Sequence, residues 1–327
     1  MNKFKRSIRL LKTAVAILFR EKKLLLFPLL ATGLALAVAL FFVAPVALYP
    51  SGHSYLSTAH WTVIGDRITQ AFLPHPPSGS HHHQMAIGIS TGLAGGSRII
   101  FQHWWITLPF VVIYFTSMFL ATFCNVAFYH EIMQALNGQP VSIRRGFYFA
   151  IMRWRAVLMW SLFAGLVGYI IQFIEQRVGF LGKIIASFVG FAWSVACIFI
   201  IPSLVRDMET TNPLELLRHS SGALKRTWGE VVVGFAGFHV AVAFIFVPIV
   251  IFVSAIGFTL GHFHFFHHML LARLLIFAGM FLMLLPLSWL KNVVNSVYRC
   301  ALFIYATEGV IPEPFDKELL DSAWKVK

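Results

Sequence analysis

The sequence predicts an all-α polytopic membrane protein, six transmembrane helices joined by cytoplasmic interfacial amphipathic helices, on three observations. Of 327 residues, 58% are apolar and 12% charged, where soluble domains carry roughly 45–50% and about 25%. The apolar surplus is gathered into runs of about twenty residues or more, enough to cross a hydrocarbon core of about 30 Å as helix. The basic excess, 26 Lys+Arg against 13 Asp+Glu, sits beside those runs, so the charge is topological and lipid-facing and not the footprint of a nucleic-acid binder.

Residues 1–23 form a basic leader. Phe4, Ile8, Leu11, Val15, Leu18 and Phe19 share one helical face and Lys5, Arg6, Arg9 and Lys12 the other, as in a helix lying in the plane of a leaflet with its cations at anionic head groups. The run Leu24 to Tyr49 is much longer than the roughly 7–15-residue core of a cleavable signal, so it is expected to stay as the first anchor. Five more runs follow: Trp104 to Tyr129, Ala156 to Ile174, Ile184 to Val205, Val231 to Phe258, and Leu270 to Leu290 continuing towards Tyr305. Together they make a membrane domain over residues 24–307. Eight basic residues precede the first run, four lie between Glu131 and Arg155, and four between Arg206 and Trp228. The intervening loops are poorer, with two in 50–103, two in Glu175 to Lys183 and none in Thr259 to Met269. Positive loops stay inside, which places both termini in the cytoplasm, the His-rich 50–103 loop outside, and 308–327 as a cytoplasmic tail helix. Within the outer loop, Trp61, Ile64, Ile68 and Phe72 predict an interfacial helix.

A unit recurs along the chain: a span, a proline, an amphipathic helix ending in Trp, then the next span. It occurs as Pro140 to Trp154, Pro213 to Trp228 and, shorter, Pro314 to Trp324. The second copy has the clearest start, with Asn212 as cap, Pro213 at the first helical position and Glu215 three after the cap. Its apolar face is Leu214, Leu217, Leu224 and Trp228, flanked by Arg218, Lys225 and Arg226. In the first copy Ile143, Phe147, Ala150, Ile151 and Trp154 make the stripe, with Arg144, Arg145, Arg153 and Arg155 outside it. These arginines, lysine and tryptophans are the expected lipid-interface residues; the same pattern also serves helices that pack on their neighbours or dock a partner.

The stretches "FREKKLLLFPLL" (19–30), "LLRHSSGALKRTWGE" (216–230) and "YATEGVIPEPFDKELLDSAW" (305–324) resemble a family of prokaryotic six-helix integral membrane proteins that carries only a domain-of-unknown-function label. The resemblance covers most of the chain outside 50–103. It implies the same fold and a cell membrane, which for this chain reads as a bacterial inner membrane, and it brings no activity, cofactor or catalytic residue.

The first five runs contain no Asp, Glu, Lys or Arg. Because an ionisable group at mid-bilayer costs about 2.5–3.5 kcal/mol even on the lenient scale, their absence argues against an ion-coupled carrier with a buried relay. His239 and Asn125 read as interhelical hydrogen-bonding groups. Asn292, Asn295 and Arg299 on the last helix fit either a polar path or a helix leaving the bilayer. Gly182, Ala186, Gly190 and Ser194 recur every fourth residue, a small-residue helix-packing face within one chain or between copies.

Eleven of the 14 histidines fall on the outer side. Two clusters, His81, His82, His83 and His262, His264, His267, His268, offer imidazole for a divalent transition metal; without a carboxylate partner at ligand spacing, a solvated low-complexity loop is the preferred reading. "GISTG" at 88–92 matches a nucleophile elbow but lacks the strand before and the acid–His pair beside Ser90 that the elbow requires. Cys124, Cys197 and Cys300 show no disulfide or thiolate-metal spacing. The expected function is non-enzymatic: an oligomeric membrane scaffold or lipid-contacting module, with membrane lipids and further copies of itself as partners. The alternatives are a channel or transporter for an apolar or lipidic substrate, and a metal- or pH-responsive outer sensor.

Overall fold

The computed structural model describes residues 13–55, 57–72, 104–177, 180–226, 243–244, 247–252, 254–255 and 270–312. Helical residues 13–20 and a 3-10 turn, Lys22–Leu25, lead into α1 (Leu26–Ala47). Next come α2 (Thr58–Phe72), α3 (Trp104–Leu136), α4 (Ile143–Met152), α5 (Trp154–Arg177), α6 (Phe180–Ala196) and α7 (Ile200–Arg206). The last two are α8 (Pro213–Arg226) and α9 (Leu270–Glu308). The regular structure of the described residues is helical, without strands.

Four helices are long and apolar enough to cross a membrane: Lys22–Phe42, Val111–Leu136, Trp154–Glu175 and Ile184–Arg206. They correspond to the first four apolar runs of the sequence. The fifth run lies largely outside the described residues, and the sixth is the first half of α9. At 1.5 Å per residue, α9 is about 58 Å long, and it carries Pro286 in its interior.

The core lies at one end of the bundle. Its buried side chains come from 14–27 at the start of the chain, 126–136 at the end of α3, 149–160 around the α4–α5 joint, 199–205 in α7, 216–224 in α8 and 293–305 in the second half of α9. The other halves of α1, α5 and α6 present exposed side chains such as Leu40, Phe41, Tyr169, Phe173, Phe188 and Phe191. Aromatic rings pack within and against this core. Phe27 lies 5.6 Å from Phe128 and 5.8 Å from Phe147, and Trp160 stacks on Trp193 at 6.2 Å between α5 and α6.

The leader departs from expectation in its register. Ala14, Ile17 and Leu18 are buried while Phe19 is exposed, so the inward face is rotated from the one the spacing predicts. Arg20 donates to the Ala135 carbonyl at 2.8 Å, and Glu21 accepts from the Val141 N–H at 3.3 Å. These bonds pull the last turns of the leader into the core instead of leaving them along a surface; residues 1–12 lie outside the described part.

Between α3 and α4 the chain reverses in six residues, with Gly138 at φ +76°, a left-handed position that glycine takes without steric cost. The return brings α4 so close to α3 that a Cβ on Gly146 would stand 2.8 Å from the Ala127 carbonyl oxygen and 2.9 Å from Glu131 Cγ. Gly146→Ala is therefore expected to destabilise the protein by about 1–3 kcal/mol through overpacking, although Ala gains about 1 kcal/mol in helix propensity. Gly222→Ala in α8, where nothing lies within 4 Å, should raise the unfolding midpoint. Thermal unfolding in one detergent compares the two.

Candidate functional site

Glu131 near the end of α3 is fully buried, and the α3–α4 reversal brings its partners to it. Arg145 donates from Nε to Oε1 at 2.8 Å and from Nη2 to Oε2 at 2.7 Å, a two-pronged pairing that matches guanidinium to carboxylate geometry. The Ser142 N–H donates to Oε2 at 2.7 Å, and His130 Nδ1 lies 3.1 Å from Oε1. The carboxylate holds Arg145 above the ordinary guanidinium range, hydrogen bonding outweighing its partial burial.

Arg153 occupies the joint between α4 and α5 and is only 7% exposed. Its guanidinium donates to the Asp207 carbonyl at 2.6 Å, the Thr210 carbonyl at 2.9 Å, the Leu204 carbonyl at 3.4 Å and the Met208 carbonyl. The last carbonyls of a helix have no partner within it and attract a cation; Arg153 supplies both to the end of α7. Burial lowers its pKa, partly offset by Asp207. Burial also opposes the charge on Asp207, but the Thr210 hydroxyl and N–H, the Glu209 N–H and His219 outweigh it and hold that carboxyl below the usual range.

Ser220 fastens α8. Its hydroxyl donates to the Ala196 carbonyl at 2.6 Å and accepts from the Phe199 N–H at 3.2 Å, satisfying backbone groups freed where α6 gives way to α7. Beside it, an open groove of about 710 Å³ is lined by Arg206, Asp207, Glu215, Arg218, His219 and Glu308, among others. Arg206 pairs with Glu308 at 2.7 Å and His219 with Asp207 at 3.0 Å, so its charges are largely mutually compensated.

A second cavity, about 350 Å³, lies between α1, α3 and α9. Its walls include Ala31, Ala35 and Ala39 from α1 and Ala121 and Cys124 from α3, with Asn125 and Asn292 as its amide groups. Neither amide has a hydrogen-bond partner among the described residues.

The expected lipid-interface residues divide. Arg144, Trp154 and Arg155 are exposed, the last over the Trp154 ring at 5.7 Å, and Arg218 and Lys225 are exposed on α8. Arg153 is corrected, being buried and engaged by carbonyls at and just beyond the end of α7; Arg145 pairs with Glu131 while its side chain stays 37% exposed. The Arg226 side chain and Trp228 lie outside the described residues. On α8 the inward face is Leu216, Ser220, Ala223 and Leu224, with Leu214 exposed; the expected face is turned because a serine, not a leucine, occupies the key inward position.

Of the small-residue stripe, Ala186 is buried, a Cβ on Gly190 would lie 3.7 Å from Ile171 of α5, and Ser194 is exposed with its hydroxyl on the Gly190 carbonyl. Gly190 thus packs within the chain. Asn292 lines the second cavity, while Asn295 and Arg299 sit further along α9, among residues of the buried core. His81, His82, His83, His262, His264, His267 and His268 lie outside the described residues, as does Ser90. Among the described residues no group of three His, Cys, Asp or Glu is arranged to hold a metal ion. His60 is not a solvated outer histidine: it is fully buried, its Nε2 donating to the Ala47 carbonyl at 2.9 Å and its Nδ1 facing the Ser51 hydroxyl at 2.5 Å. Because a carbonyl only accepts, the proton belongs on Nε2.

Sequence reasoning missed Glu131, Ser220 and the joining of Asn125 to Asn292. A lone acid just past an apolar run, with an Arg 14 residues on, was the available signal for the first. Residues 103–312 match a family of unknown function, DUF6159. No curated protein and no solved structure matches the chain.

Proposed function

The chain belongs to the DUF6159 family of unknown function, and we propose that it is a six-span bacterial inner-membrane protein acting as a non-enzymatic, oligomeric lipid-contacting module, with both termini in the cytoplasm. In this reading the packed end of the bundle faces the cytoplasm and α4 rests on the inner leaflet.

The observation that carries the reading is the outer face of α4. Tyr148, Ile151, Met152 and Trp154 are all exposed, with Arg144 and Arg155 beside them, at the foot of a helix long enough to cross a membrane. The opposite face is pinned through Gly146, Phe149 and Ala150, so α4 cannot roll to hide its apolar side. Rings at the acyl boundary and cations at anionic head groups are the stable arrangement for such a face.

Spin labels at Ile151→Cys and Arg144→Cys, in protein reconstituted into anionic vesicles, test this. The two positions lie seven residues apart on one helical face, so both labels should be reached by oxygen more readily than by an aqueous nickel chelate, the Ile151 label sitting below the phosphates. Free access of the chelate to both would remove the lipid contact. Native mass spectrometry of the extracted protein counts the copies, and a strictly monomeric protein would remove the oligomer.

A further inference from the structure

We infer that the cavity between α1, α3 and α9 holds one acyl chain of a bilayer phospholipid, with the lipid's ester oxygens at Asn125 and Asn292. The volume of about 350 Å³ falls in the range of small-molecule sites, about 300–1,000 Å³. Its long walls are hydrocarbon: Ala31, Leu34, Ala35, Val38 and Ala39 along α1, and Ile113, Leu120, Ala121 and Cys124 along α3, with Ser117 between them. The lining of α3 from Ile113 to Asn125 runs twelve residues, about 18 Å of helix, so the space is elongated along the helices.

The two amides stand at the same end. Phe27 of α1 meets Phe128 of α3, so in this antiparallel pair the level of Asn125 is that of Leu30, next to Ala31 of the cavity wall. Trp289 Nε1 donates to the Thr32 hydroxyl at 3.0 Å, so Asn292, three residues on, belongs to the same level. One turn further along α9, the Asn295 Oδ1 is buried without a partner. An amide left unpaired in hydrocarbon is costly; the NH₂ groups of Asn125 and Asn292 can donate to an ester carbonyl, whereas the Asn295 oxygen, itself an acceptor, takes no part in that contact.

The depth fits the same ligand. Asn125 is six residues from Glu131, about 9 Å, and Asn292 seven from Arg299, about 10 Å. The amides therefore lie just inside the charged layer, at the level of ester groups and not of phosphates. Leu34, Ala35, Ala39, Ser117, Ala121 and Asn292 are exposed, so the cavity opens sideways, and a chain enters from the bilayer without crossing the polar end.

The inference rests on the proposed membrane placement, though not on the contact made by α4. The full chain is reconstituted in phosphatidylethanolamine–phosphatidylglycerol vesicles doped with a phosphatidylethanolamine bearing a diazirine in one acyl chain, irradiated, digested and mapped by mass spectrometry. Adducts are expected to concentrate in 31–39 and 113–125. Ala121→Phe, which fills the space, should cut them at least fivefold while adducts on the exposed α5 residues 162–174 stay constant, which also reports correct insertion. Asn292→Ala adds no volume and should lower cavity adducts severalfold, so the test survives a misfolded Ala121→Phe. Adducts spread evenly over α1, α3 and α5 and indifferent to both substitutions would overturn the site, as would cavity labelling by a diazirine fatty acid but not by the phospholipid. Loss of α5 labelling in the unmodified chain would instead overturn the membrane placement.

Discussion

Arg153→Ala is expected to lower stability by about 3–5 kcal/mol and to free the α7–α8 connection. The substitution takes a cation away from the carbonyls of Leu204, Asp207, Met208 and Thr210. A buried acceptor left unsatisfied costs about 1–3 kcal/mol, and water admitted to part of the gap keeps the sum below four full penalties. Arg153→Lys should recover only part of the loss, because a point-like ammonium does not span carbonyls arranged for a planar fork. Limited proteolysis reads the local effect: cleavage near Met208 and Glu209 should accelerate more than cleavage anywhere in α3. Equal stability of the alanine variant and the parent in a denaturation series would show that Arg153 does not hold this joint.

Glu131→Ala has the second largest expected effect, about 3 kcal/mol. Removing one partner of a buried ion pair costs about 3–5 kcal/mol; the lower end applies because the Arg145 side chain is 37% exposed and turns to water once released. The Ser142 N–H cannot do so, and the N-terminus of α4 should fray. Glu131→Gln keeps one oxygen for Ser142 or Arg145 and should lose about half as much. A double-mutant cycle with Arg145→Ala isolates the pair. A coupling energy near zero would mean that the carboxylate is valued for the α4 terminus alone.

The helices were legible because a membrane helix writes itself as a continuous apolar run, and the runs at Leu24, Trp104, Ala156 and Ile184 reappear as the four helices long enough to cross a bilayer. The helix Thr58–Phe72 was equally visible in its spacing. What stayed hidden was pairing. Glu131 and Arg145 both look like ordinary loop charges until the Gly138 reversal brings them together. Asn125 and Asn292 each stand out as polar residues in or beside a run, yet 167 positions separate them and nothing in periodicity joins them. Face assignments also slipped where the inward position is polar or small. Counting only large apolar residues selects Leu214 on α8, whereas the structure turns Leu216 and Ser220 inward, since backbone groups at the α6–α7 break need a hydroxyl more than the core needs another leucine.

Among the described residues, close packing gathered at one pole leaves the far reaches of α1, α5 and α6 with few side chains to set their spacing. If these helices span a bilayer as proposed, its thickness has more say over how widely they splay than side-chain fit does.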